Sequence, residues 1–202
     1  MDDEGLTLIG PTVVLRLPGD DDVEPLWRAA HESVEELQRW MAWFHDEYSR
    51  TDVAAWVESA RRGWQTDDDF NLVITERGGG SVLGACGLNK VDRANRLANL
   101  GYWVRSTATG RGVATEAAAL VAHWGLGVLG LNRLEIVVAT TNDVSLRVAE
   151  KLGAVREGVA RNRFWLRGAA HDGAVFSLVA TDLGIHRPIG DGGRDEGGSS
   201  PA

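Results

Sequence analysis

Hydrophobic positions along the chain change their spacing several times, and each change marks an element. Residues 12–17 (TVVLRL) follow Pro11 as an extended apolar stretch and predict a first strand. Asp20, Asp21 and Asp22 then supply turn and capping chemistry. Val23, Leu26, Trp27 and Ala30 recur at three- and four-residue steps, which predicts a helix over 23–33. Leu37, Trp40 and Met41 carry a short second helix over 34–42. Residues 44–50 read as a loop. Val53, Trp56, Val57 and Ala60 form the stripe of a third helix over 52–64, capped by Thr51. Residues 70–76, 82–91 and 98–104 then read as three strands. The glycine-rich connector 77–81 between the first two predicts an antiparallel meander.

Beyond residue 104 the pattern changes. Residues 105–112 (RSTATGRG) are small and loop-like, and 113–129 form a long alanine-rich helical stretch. Residues 133–139 (RLEIVVA) are apolar enough for a strand covered on both faces. Asn142 and Asp143 start a helix that runs through Lys151 and stops at Gly153. Strands over 155–164 and 175–180 complete the set. The strand ending at Val104, the helix after it and the strand 133–139 predict a right-handed βαβ crossover. The fold class expected is therefore a mixed α/β sheet, largely antiparallel, and not a doubly wound one. Residues 1–185 are expected to form the domain. Residues 186–202, rich in Gly, Asp and Ser, are expected to form a disordered tail.

Composition narrows the function. The 202 residues carry a formal net charge of −8, which disfavours a nucleic-acid partner, whose phosphates need a basic face. A single cysteine, Cys86, cannot form an internal disulfide. The acidic N-terminus lacks an apolar signal core, and no run approaches the ~18 apolar residues of a membrane span. A cytoplasmic protein without a membrane partner is the expectation. None of the five histidines pairs at metal-ligand spacing, so no metal is expected. Cys86, between Gly84 and Gly87 in a strand pattern, is expected to be a buried, inert thiol. The runs Asp20–Asp22 and Asp67–Asp69 read as solvated caps and turns, or as a field that attracts a cationic amine.

One segment carries candidate chemistry. Gly110-Arg111-Gly112-Val113-Ala114-Thr115-Glu116-Ala117 follows a strand and opens a helix. Glycines permit tight turns and close approach, and a helix's first-turn amides bind phosphate. A dinucleotide fingerprint is absent because its third glycine position is Thr115, and a P-loop is absent because no G-K-[ST] follows. Alone, the segment fits an anion seat and a plain glycine turn equally well.

Its neighbours decide between them. Leu100-Gly101-Tyr102-Trp103-Val104, followed by Gly110-x-Gly112-x-Ala114-Thr115-Glu116-Ala117, resembles the acyl-CoA signature of the GNAT superfamily of N-acetyltransferases. The branch it resembles is the RimJ/RimL-like, ribosomal-protein N-terminal acetyltransferase type. Asn142-x-x-Ser145, Glu150-Lys151-Leu152-Gly153-Ala154 and Glu157-Gly158 follow in that branch's order, and Asp172 before the last strand fits too. The resemblance spans about residues 10–183. It implies a V-shaped cleft where strands 98–104 and 133–139 splay apart. It places the pantetheine arm of acetyl-CoA along Trp103, Val104 and Arg105. The pyrophosphate falls on the amides of Gly110, Arg111, Gly112, Val113, Ala114 and Thr115, with charge from Arg105 and Arg111 nearby. Thr107 departs from the family's usual Gln or Arg, at little cost where binding is by main chain. Asn142 is either a helix cap alone or also a partner of the pantetheine amide. Many members protonate the leaving thiolate with a tyrosine one position after Ser145. Here that position is Leu146, no tyrosine is available, and the branch implies Ser145 as the catalytic acid.

The acceptor can be argued from acidity. An α-amine has a pKa of ~7.7–8.0 and a lysine side chain ~10.4, a gap of roughly 3.4 kcal/mol in deprotonation. No His or Glu occupies an obvious base position, and the site two before Gly101, often acidic in this branch, is Asn99. Glu116 suits the helix dipole as a structural residue. The expected acceptor is therefore a peptide N-terminal α-amine or a small low-pKa amine. Acetylation of a polyamine or antibiotic, and a non-catalytic acyl-CoA sensor of the same fold, are the alternatives. The resemblance implies that Trp40, Trp43 and Phe44, with His45 beside them, form the acceptor wall. Trp27 and Trp56 are expected in the core. Homodimerisation is left open.

Overall fold

The computed structural model describes residues 6–186. Strands β1 (Thr7–Ile9), β2 (Val13–Arg16), β3 (Phe70–Glu76), β4 (Val82–Asp92) and β5 (Leu97–Val104) form an antiparallel meander. β6 (Arg133–Ala139) lies parallel to β5. A hairpin of β7 (Val155–Leu166) and β8 (Ala169–Leu178) closes the sheet, with β8 antiparallel to β6. The strand order is β1-β2-β3-β4-β5-β6-β8-β7. Helices α1 (Val23–His31), α2 (Val34–Trp40) and α3 (Arg50–Thr66) separate β2 from β3. Helix α4 (Val113–Gly127) makes the crossover from β5 to β6, and α5 (Asp143–Lys151) leads from β6 to β7. The mixed sheet with one parallel pair is the one the sequence pattern predicts.

Alternation along the central strands feeds two apolar layers. Leu72 and Ile74 of β3 point to one face with Leu15, Leu100 and Phe176, where they meet Val113, Ala117, Val121 and Trp124 of α4. Val73 points to the other face with Val82, against Leu26 of α1 and Val53 and Val57 of α3. Ala117, Ala118 and Ala122 are fully buried, so small side chains let α4 lie close to the sheet.

Two departures from the sequence expectation have local causes. β1 is only three residues long, too short to display alternation. β8 starts at Ala169, six residues before the apolar run at 175. Its first residues are exposed or half-buried and join β7 through Arg167 and Gly168, both at positive φ (53° and 74°). That is the twist a two-residue hairpin turn requires, reached here without an Asn-Gly pair. The expected tail lies, apart from His186, outside the described residues.

Candidate active site

β5 and β6 pair over three residues only, from Leu97–Arg133 to Asn99–Glu135. β5 continues to Val104 and β6 to Ala139, so the strands diverge. Past Asn99, β5 keeps β4 on one edge and has main-chain groups without a strand partner on the other. A cavity of about 430 Å³ fills the divergence, lined by residues 100–103 of β5 and 136–139 of β6. Gly84 of β4 makes the close approach possible: a Cβ there would stand 2.1 Å from the Trp103 carbonyl oxygen, at φ 152°.

The glycine loop follows β5. Gly110 (φ 75°) and Gly112 (φ 82°) adopt a left-handed backbone that other residues resist, with nothing within 4 Å of either Cβ direction. Gly112 precedes α4 and has no side chain to cap it. The first-turn amides of Val113, Ala114 and Thr115 therefore end the helix uncapped, on the positive pole of its dipole. These orphan donors over open space suit a pyrophosphate. Glu116 braces the same turn. Its carboxylate accepts from the amides of Thr12 (2.8 Å) and Val13 (3.0 Å) and from the Thr12 hydroxyl. Burial opposes its ionisation, but these bonds outweigh it and hold the carboxyl below its usual range.

Both arginines expected beside the phosphates have an acidic partner. The Arg105 guanidinium is held by Glu32 and by the Val82 carbonyl (3.1 Å), and its amide bonds Leu83 O (2.8 Å). Its charge is balanced locally by Glu32. Arg111 pairs with Glu76 at 2.8 Å on an exposed surface.

At the other side of the cleft, α5 begins beside the end of β6. The Asn142 side chain accepts from the Ser145 amide at 3.1 Å, so it does cap the helix. Both residues line the cavity. A tyrosine reaches Ser145 after all, from the sheet and not from α5. Tyr102 places its hydroxyl 3.0 Å from Ser145 Oγ and 3.2 Å from the Ser145 carbonyl. Burial, with Cys86 nearby, pushes this phenol up to about 12, and the Ser145 bond offsets only part of that. Cys86 lies on β4 opposite Tyr102, is buried, and burial raises its thiol pKa. It presents no thiolate.

The acceptor-wall residues divide. Trp40 and Trp43 line the main cavity together with Trp56, Tyr48, Trp103 and Phe164. Trp43 stands 6.1 Å from Trp103 and 5.4 Å from Tyr48, ring centre to ring centre. Phe44 instead packs under the loop with Ala30 and Leu37, and with His45 it borders a separate, smaller recess beside Trp165. The His45 ring lies 3.7 Å from Asp52, outside the main cavity. Trp56, expected in the core, is half-buried at the margin of the α3 stripe, packed against the cluster of Val53 and Val57 and lining the cleft. Trp27 is half-buried beneath the Arg50 guanidinium, 3.6 Å from its ring centre.

Sequence reasoning thus missed Tyr48, Asn71 and Asn89 in the cleft lining, and it gave Tyr102, Trp56 and Asn99 no role there. Asn99 donates to Asn89 across β4 and β5 at 3.0 Å, a neutral pair where a carboxylate was sought. Alternation was the available signal for Tyr102. It shares a sheet face with Leu100 and Val104, the face on which α4 and α5 pack.

The geometry has counterparts among known proteins. A family model described as an acetyltransferase (GNAT) domain matches residues 12–155. A Bacillus subtilis (strain 168) protein named as a ribosomal N-acetyltransferase, YdaF, is 30% identical over 175 residues, covering 83% of this chain and 91% of its own. Mycobacterium smegmatis RimJ in complex with CoA-disulfide superposes with a TM-score of 0.82 at 25% identity, over 89% of this chain and 90% of that one. The microcin C7 self-immunity acetyltransferase MccE, in complex with acetyl-CoA and AMP, gives 0.78 at 24% identity, over 84% and 93%.

Proposed function

The chain belongs to the acetyltransferase (GNAT) domain family and is an N-acetyltransferase, and from that premise we propose that it transfers acetyl from acetyl-CoA to the α-amine of a peptide N-terminus. The divergence of β5 from β6 carries this reading. It opens an unpaired main-chain edge that leads directly into the uncapped start of α4, one seat for a pantetheine amide arm and one for a pyrophosphate. A relative named as a ribosomal N-acetyltransferase and a structural neighbour that holds acetyl-CoA support the same assignment. A cytoplasmic site of action, with acetyl-CoA supply, goes with it.

Trp103, Val104 and the β5 edge would hold the arm, and residues 110–115 the phosphates, with Arg111 released from Glu76 to join them. Asn142 keeps capping α5 and can offer its amide nitrogen to the arm. Acetyl-CoA supplies an activated thioester. A main-chain amide at the end of β5 polarises its carbonyl, as an oxyanion hole does. The amine nitrogen bonds the acetyl carbon as the carbon–sulfur bond breaks, and the proton the nitrogen sheds balances the one sulfur gains. Ser145 donates its hydroxyl proton to that sulfur and regains one from the proton the nitrogen sheds, while the Tyr102 hydroxyl shares a hydrogen bond with Ser145 Oγ. An α-amine suits a cleft without a strong base.

The test mixes the purified protein with acetyl-CoA and a set of N-terminal peptides, polyamines and aminoglycosides. Thiol release and product mass are read, and acetyl-CoA binding is measured by calorimetry. Peptide-dependent thiol release with a mono-acetylated α-amine is expected. Tight acetyl-CoA binding with no release from any amine would make the protein an acyl-CoA sensor instead.

A further inference from the structure

The main cavity is uncharged. No Asp, Glu, Lys, Arg or His lines it among the described residues. The neighbouring acids lie outside: Asp46 bonds Gln38, Asp52 in the first turn of α3 bonds Ser49, and Glu47 is exposed. Arg39 lies over the Trp40 ring at 4.7 Å, which adds positive charge at that wall. On the acceptor side the lining is aromatic, from Trp40, Trp43, Tyr48, Trp56, Trp103 and Phe164. Asn71, Asn89 and Asn99 provide the neutral polar groups on the floor.

Such a site selects by desolvation. A second cationic centre entering it would lose its hydration without gaining a carboxylate. Ring faces repay a cation for only part of that loss. A hydrocarbon or aromatic side chain gains from the same walls as its surface leaves water. The asparagine amides can meanwhile bond a neutral amine or a peptide carbonyl.

We propose that the acceptor is an α-amine borne by a residue with a large apolar or aromatic side chain, seated among Trp40, Trp43, Trp56 and Trp103. This rests on the N-acetyltransferase reading above. It excludes spermidine-like polyamines and peptides that begin with Asp or Lys as preferred substrates.

The test compares kcat/KM, by thiol release, for otherwise identical peptides beginning with Phe, Leu, Ala, Asp or Lys, and for spermidine. Phe and Leu peptides are expected to exceed the Asp and Lys peptides and spermidine by roughly tenfold or more. The Trp43→Ala variant should compress the Phe-to-Ala ratio several-fold. Trp43 is 42% exposed, so the variant is expected to fold, and its thermal midpoint checks this. Equal rates across first residues, or a preference for spermidine or Asp, would overturn the inference and leave the acetyltransferase reading intact. No turnover of any amine, with acetyl-CoA binding retained, would overturn both.

Discussion

The Tyr102 hydroxyl lies 3.0 Å from Ser145 Oγ, joining the strand that leads into the cleft to the first turn of the helix across it. The proposed function puts the leaving sulfur beside this pair, so the two hydroxyls are expected to act as a unit. Tyr102→Phe is expected to lower kcat by roughly 10–100-fold, with a smaller effect on acetyl-CoA affinity. Adding Ser145→Ala should cost little more than the larger single loss, because a unit fails once. A double-mutant cycle on kcat reads this, and fully additive losses would separate the residues. With the phenol pushed up to about 12, Tyr102 keeps its proton throughout the assay range. The wild-type kcat should therefore show no alkaline fall assignable to it below about pH 10.

Glu116 ties the first turn of α4 to the start of β2 by three hydrogen bonds to Thr12 and Val13. Its carboxyl is held below the usual range, so its contribution is complete above the ordinary carboxylate pKa. It is lost as pH falls through the lowered value. Glu116→Gln leaves one donor facing donors and is expected to cost about 1–2 kcal/mol in urea unfolding at neutral pH. An unchanged midpoint would assign the residue to the ligand and not to the frame.

Glu157 makes the same argument at the far edge. The Arg133 guanidinium bonds it at 2.6 Å across β8, and the Ser177 hydroxyl donates at 2.8 Å. Arg133 first, then Ser177, lowers its carboxyl to about 2. The stability this supplies is whole above the ordinary value of 4.5 and disappears as pH falls towards about 2. Urea midpoints measured across that window should fall steeply for the wild type and less for Glu157→Gln.

Much of the frame is written in local pattern. The strands at 70–76 and 133–139 have the bounds that alternation and apolar content set. The capping chemistry of Asn142 is equally local. What escaped depends on distant partners. Arg105 is neutralised by Glu32, 73 residues earlier, and Tyr102 meets Ser145 43 residues later. Neither pairing leaves a trace in spacing. Phe44 and Trp43 are adjacent in sequence and touch edge to face, 5.9 Å between ring centres, yet Phe44 is buried under the loop while Trp43 lines the cleft. Only the packing of that loop decides which reaches a substrate.

Gly84 tests whether the β5 edge is the seat of the cofactor arm. It sits where β3 and β4 shift register, between Ile74 and Thr75, and pairs with Val104 on its other side. A methyl group there would stand 2.1 Å from the Trp103 carbonyl oxygen and 2.9 Å from Val104 Cα, both main-chain atoms that cannot swing aside. Gly84→Ala must push β5 away from β4 at its cleft end. The backbone angle of 152° adds strain. A loss of about 2 kcal/mol or more in stability is expected, together with weakened acetyl-CoA binding by calorimetry. Gly158→Ala is the matched control, since its added carbon meets no atom within 4 Å and its φ is not positive. If Gly84→Ala is destabilised yet binds acetyl-CoA as tightly as the control, the end of β5 does not hold the cofactor arm.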